Sequence, residues 1–175
     1  MPPRRVILRV ALPCALIFAA ICVEAAPQTK ERAPRFHAKT MAGEVFTNQT
    51  TKGRVVLLEF WTTWCPYCFT EAPFVDKLNK EYGEKGLLVL TINVGESKKT
   101  VKKYLDQHPR ATRIILTDDT NLAAMYQAVE YPIYVVIDKD GNIAATQHGA
   151  GGEAALRDML AIAGIGPKDE PDTKN

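Results

Sequence analysis

The chain has 175 residues, 46% of them hydrophobic and 24% charged, with a formal net charge of +2. That length suits one domain, and that balance excludes fibrous, collagen-like and wholly disordered chains. Without a basic stripe to neutralise phosphates, nucleic-acid binding lacks its main driving force.

Residues 1–25 are expected to be a signal peptide. Arg4, Arg5 and Arg9 form a basic start, and an apolar run from Val10 to Val23 follows, broken only by Pro13. Val23-Glu24-Ala25 offers the small-residue exit of a cleavage site. An uncleaved anchor is the alternative, although the run is shorter than the roughly 20 apolar residues of a span. Arg4-Arg5 also fits a twin-arginine signal, but the pair alone says little. Either route exports the chain to the periplasm or cell envelope. Taking Arg4, Arg5, Arg9 and Glu24 away from 22 basic and 20 acidic residues leaves 19 of each, so the basic character belongs to the leader.

Residues 26–35 read as a polar linker, 36–164 as the domain and 165–175 as a flexible tail with mixed charges. Within the domain, Phe36 to Thr47, interrupted at Met41-Ala42-Gly43-Glu44, predicts a small hairpin. Val55 to Phe60 is dense in apolar residues and predicts a buried strand. A helix is predicted from Cys65 to about Tyr82, with Phe74, Val75, Leu78 and Tyr82 on one face. Leu87 to Val94 predicts a second buried strand. Ser97 caps a predicted helix, Lys98 to Gln107, which His108-Pro109 ends. A short strand over Arg113–Leu116 and a short helix over Asp119–Ala128 are expected next. Ile133–Ile137 and Ile143–Gln147 predict a hairpin around Asp138–Asn142, and a helix over Glu153–Ala163 closes the domain. Strands alternating with helices, then a hairpin, imply an α/β fold: a mixed sheet covered on both faces.

Cysteine usage is sharper. Cys14 and Cys22 fall in the leader, so only Cys65 and Cys68 remain in the domain. An exported protein lives where disulfides persist. A bond between residues so close constrains the unfolded chain little, which points to chemistry rather than stapling. Cys65 falls at a strand-to-helix transition, where free N–H groups and the helix dipole favour a thiolate. Pro66 suits the first helical turn. Cys68, one turn on, is placed to attack a mixed disulfide held on Cys65. Half a zinc site is the structural alternative, but the domain has no second cysteine pair, and His37, His108 and His148 are scattered.

Phe60-Trp61 and Trp64-Cys65, within Val55 to Cys68, resemble the strand, aromatic pair and active-site helix of the thioredoxin superfamily. Glu71-Ala72-Pro73, and later Tyr126 to Asp138, resemble its TlpA/ResA-like branch of exported reductases tied to cytochrome c maturation. The resemblance spans roughly residues 34–163. It implies a thioredoxin fold with an N-terminal β-hairpin and a thiol–disulfide oxidoreductase needing no organic cofactor and no metal. Its implied partners are protein dithiols or disulfides, apocytochrome c among them, and an upstream membrane dithiol donor; the protein is expected to be a monomer.

The resemblance also assigns roles. Pro132 matches the cis-proline beside the cysteines, and Glu59 the buried acid beneath the second cysteine. A carboxylate in an apolar strand should have a raised pKa and could take the proton from Cys68. Glu71 matches the branch's glutamate three residues past the second cysteine, which tunes thiol acidity; a plain helix-surface acid is the alternative. Pro73 should kink the helix. Trp61 is expected in the core and Trp64 at the rim. The substrate groove falls to Trp64, Pro66, Tyr67 and Tyr131. Pro66-Tyr67 between the cysteines, Tyr131 before the proline and Ile133 after it depart from the branch, so neither redox direction nor substrate carries over. Phe69 offers an apolar docking spot, and His148 is expected at the surface. Two rivals remain. A thiol peroxidase would want a threonine and a proline ahead of its cysteine; Thr62 and Thr63 are present, but no proline stands between them and Cys65. The other is a Cu(I) carrier using the cysteine pair.

Overall fold

The computed structural model describes residues 30–166. The expected leader and the tail beyond 166 lie outside the described residues. The elements run β1 (His37–Thr40), β2 (Val45–Thr47), β3 (Val55–Trp61), α1 (Pro66–Tyr82), β4 (Leu87–Asn93), α2 (Lys98–Gln107), β5 (Arg113–Thr120), α3 (Leu122–Met125), β6 (Ile133–Ile137), β7 (Ile143–His148) and α4 (Gly152–Ile162).

The seven strands form one sheet in the order β2-β1-β5-β4-β3-β6-β7. β3, β4 and β5 are parallel neighbours, and β1, β2, β6 and β7 pair antiparallel. This is the expected mixed sheet of a thioredoxin-like α/β fold. All seven positions of β3 and of β4 are buried, as continuous apolar strands covered on both faces must be. Val55, Leu57, Tyr134 and Val136 pack beneath Val75, Leu78 and Tyr82 of α1 and Leu156 and Leu160 of α4. The opposite face carries Val56, Leu58, Phe60, Leu90 and Ile92, covered by Leu122, Ala123, Ala128 and Phe36. Alternate residues of each strand thus feed two separate cores.

Two predicted boundaries shift. β5 runs on to Thr120, and the helix expected over Asp119–Ala128 shrinks to α3. The cause is non-local: β1 docks on β5, with Ala38 opposite Thr120 and Thr40 opposite Ile115, so those residues are held in the sheet. The expected linker also differs. Residues 30–35 line the β6–β7 turn, where Ala33 N–H donates to Gly141 O (3.0 Å) and Ile143 N–H donates to Glu31 O (2.8 Å). Lys30 pairs with Asp138 at 3.0 Å. At the other end Ile165, placed in the tail, is buried with the α1–α4 core. No helix among the described residues is long and apolar enough to cross a membrane.

Candidate active site

The site forms where β3 leaves the sheet. Trp61 ends the strand almost fully buried and packs with Cys65, Cys68, Val101 and Leu116. The turn that follows is clamped by Glu96. Its carboxylate accepts from Thr63 N–H (2.7 Å), from the Thr63 hydroxyl, and from Asn93 Nδ2 on β4 (2.7 Å). The chain is thereby aimed into α1.

Cys65 is the N-cap of α1, Pro66 occupies the first turn as expected, and Cys68 N–H donates to Cys65 Sγ (3.0 Å). The two cysteines are joined in a disulfide, their Cα atoms 5.3 Å apart. On reduction, the Cys65 thiolate would lie against free backbone N–H groups at the positive end of a long helix. α1 continues through Pro73 without ending.

Both sulfur-bearing residues are nearly buried, while Trp64, Tyr67 and Phe69 around them are 68%, 63% and 52% exposed. Trp64 meets Tyr131 edge-on, ring centroids 5.8 Å apart. Tyr131 donates its hydroxyl to Ala128 O (3.0 Å) and precedes Pro132 through a cis peptide bond. Pro132 is buried, and its carbonyl accepts from Gly149 N–H (2.8 Å). Trp64, Tyr67 and Tyr131 thus form an aromatic rim beside the cysteines, with Pro66 between Cys65 and Tyr67. Phe69 packs edge-on against His108 rather than standing alone. His148 ends β7 exposed, in a shallow pocket with Glu31 and Met125.

The acids behave differently from one another. Glu59 is fully buried on β3, between Thr91 of β4 and Tyr134 of β6. Its Oε2 accepts from Arg110 Nη2 (2.8 Å), while Oε1 has no hydrogen-bond partner. Arg110, its side chain 4% exposed, also donates from Nε to Asp76 Oδ1 on α1 (3.1 Å). Burial drives the Glu59 pKa up, against the pull of Arg110; Asp76 and Glu71 add to the rise. Burial works against the Arg110 charge too, but Glu59 and Asp76 outweigh it and hold the guanidinium above its ordinary value. Glu71 is no surface acid. It is buried, and its carboxylate accepts from Gly152 N–H (2.8 Å) and Gly151 N–H (3.4 Å), capping α4. Tyr134 sits over both glutamates, its pKa pushed up by burial and by their charges.

Sequence reasoning missed Arg110 and Glu96. Both come from connections around α2 and carry no periodic or motif signal. Among the described residues, no group of three or more His, Cys, Asp or Glu could hold a metal ion.

The family model described as Redoxin matches residues 28–161. The chain belongs to the Redoxin family. This Redoxin-family protein is 39% identical over 119 residues to the thioredoxin-like protein YneN of Bacillus subtilis, covering 66% of this chain and 69% of that one. It is 27% identical over 132 residues to the thiol-disulfide oxidoreductase ResA of Halalkalibacterium halodurans, covering 75% of each. Its fold matches a thiol:disulfide interchange protein of Chlorobium tepidum with a TM-score of 0.69 at 24% identity, covering 79% of this chain and 99% of that one. The Redoxin-family chain is a thiol–disulfide oxidoreductase of ResA-like type, and Cys65–Cys68 is its disulfide.

Proposed function

We propose that the protein is an exported dithiol reductant of protein disulfides in the cell envelope, working in cytochrome c maturation or general envelope redox homeostasis. The observation that carries the reading is the cysteine pair itself: a disulfide spanning three residues, at the N-terminus of α1, ringed by exposed aromatics. Such a bond does little for stability and is placed for exchange.

The steps are those of dithiol exchange. In the reduced protein the Cys65 thiolate attacks one sulfur of a substrate disulfide. A Cys65–substrate bond forms, the substrate S–S bond breaks, and one substrate thiolate leaves. Cys68 then gives up its proton, with Glu59 as acceptor, and attacks Cys65 Sγ. The mixed disulfide breaks, the second substrate thiolate leaves, and the Cys65–Cys68 bond closes. Two electrons have passed to the substrate, and a membrane dithiol donor restores the reduced form. Apocytochrome c is the leading substrate. Pro132 and the aromatic rim shape the groove that receives it, and the charge of Glu71 acts on the site through Glu59. Residues 1–25 direct export and are cleaved, and the mature protein works as a monomer.

Equilibration of the Cys65–Cys68 couple with glutathione tests the direction. A reduction potential near that of thioredoxin, about −270 mV, or lower is expected. A value near the strongly oxidising end, about −120 mV, would make the protein a disulfide donor and end the reductant reading.

A further inference from the structure

Resting on that reading, we propose that Arg110 is a positioning residue for the exchange reaction: shared between Glu59 and Asp76, it pins Oε2 of Glu59 and leaves Oε1 as the free acceptor for the Cys68 proton. One guanidinium serves two carboxylates here, at 2.8 Å and 3.1 Å. With both carboxylates ionised the cluster would carry one negative charge more than its cation can neutralise, in a place where a bare charge is costly. That excess makes the protonation of Glu59 responsive to its neighbours.

Every charged or titratable group facing Glu59 is identifiable. Asp76 and Glu71 face it from α1, Tyr134 from β6, Tyr104 from α2, and Arg110 from the segment after α2. The four other groups that could compete for its role are either engaged, as the two carboxylates are, or stay protonated, as the two phenols do. Asp76 is held by Arg110, Glu71 by the α4 backbone, and burial raises the Tyr104 and Tyr134 phenols. Glu59 Oε1 is buried and without a partner. It lies on the strand face that carries Trp61, two residues on, which packs against both cysteines. Cys68 is the first buried position of α1 over that face. Arg110 also stacks over the Trp61 ring, its Cζ 5.9 Å from the centroid, so the cation is held from two sides.

The balance of charges gives opposite signs for two substitutions, which a purely structural role would not. The experiment is the pH profile, from pH 5 to 9, of insulin-disulfide reduction by the full protein and its variants, with thermal melts alongside. The wild-type profile should show one limb that E59Q removes. R110M should move that limb to higher pH by about 1 to 3 units, the usual effect of losing an adjacent opposite charge. D76N, at a side chain 22% exposed, should fold readily and move the limb to lower pH, because Arg110 then serves Glu59 alone. R110K should restore much of the wild-type profile.

Overturning results are equally plain. If R110M lowers melting temperature and rate alike at every pH, and D76N leaves the limb where it was, Arg110 is a structural residue only. Should R110M fail to fold, D76N alone decides by the sign of its shift. If E59Q keeps the wild-type profile, Glu59 is not the acceptor and the proposal falls with it. Those outcomes all leave exchange intact. A wild-type protein that does not reduce insulin, or a C65S variant that still does, would instead remove the proposed function.

Discussion

Glu59 places a carboxyl group in the middle of an apolar strand, and the consequence for stability depends on pH. Its ordinary pKa is 4.5, and burial raises it in the folded state. Between those two values the folded chain holds a proton that the unfolded chain has lost. The stabilising contribution is therefore complete below about pH 4.5 and is lost as pH rises through the folded pKa. E59Q carries no such proton. The wild-type melting temperature, measured against that of E59Q, should fall steadily from pH 4.5 upward; a constant difference between pH 4 and 8 would refute it. Glu59 is picked out in the sequence by the resemblance to the thioredoxin superfamily, and its place inside the apolar run Val55–Phe60 agrees with a buried acid. Cys65 and Cys68 were legible from their spacing, since both partners lie within one turn of helix. Arg110 was not. It sits 51 residues from Glu59 in the chain, between a proline and an alanine in a connection, and only the folded sheet brings the two together.

The elements repeat this division between local and distant causes. α2 begins and ends as predicted because its cap is local: Ser97 accepts from Thr100 N–H, and His108-Pro109 closes it. α4 has no such cap of its own. Its N-cap is Gly151, which offers no side chain, and Glu71 of α1 supplies the acceptor from across the fold. A carboxylate there satisfies orphan N–H groups and meets the positive end of the helix. E71A should therefore cost about 1–2 kcal/mol, lowering the melting temperature by about 3 °C for each kcal/mol. A drop of less than about 1 °C, read by calorimetry against the wild-type protein, would show that α4 does not depend on Glu71. The resemblance to exported reductases singled out Glu71 for thiol chemistry; its backbone partners lie 80 and 81 residues away and were invisible without the fold. The start of α3 shifts for the same kind of reason, because β1 reaches across and holds Thr120 in the sheet.

At the scale of the whole molecule, the sheet separates chemistry from support. β3 and β6 run antiparallel, with Phe60 opposite Ile133 near the cysteines and Val56 opposite Ile137 at the far end. The β6–β7 turn and residues 30–35 therefore gather at the end of the sheet away from Cys65, separated from Trp61 by the length of β3, about 3.3 Å per residue. Sequence periodicity predicted the central strands and both main helices, because burial on two faces leaves a continuous apolar run. It gave no hint that the polar stretch before Phe36 packs down, since the two bonds that dock it on the β6–β7 turn through Ala33 and Glu31 are made by backbone atoms that any residue provides. A chain beginning at residue 36 loses two backbone hydrogen bonds, three side-chain-to-backbone ones (Arg32 to Asp140 O, Asn48 to Pro34 O, Asn121 to Arg35 O), the Lys30–Asp138 pair and the cover that Ala33 gives the core. With each buried hydrogen bond contributing about 1 kcal/mol, that chain should be less stable by about 2 kcal/mol and melt roughly 6 °C lower than one beginning at residue 30. Its rate of insulin reduction below the melting range should be unchanged, because nothing removed touches the cysteine rim. A truncated chain with an unaltered melting temperature would mean the segment contributes no stability. One that is stable but slow would mean that the two ends of the sheet are coupled after all, and that support and chemistry in this fold are not separate.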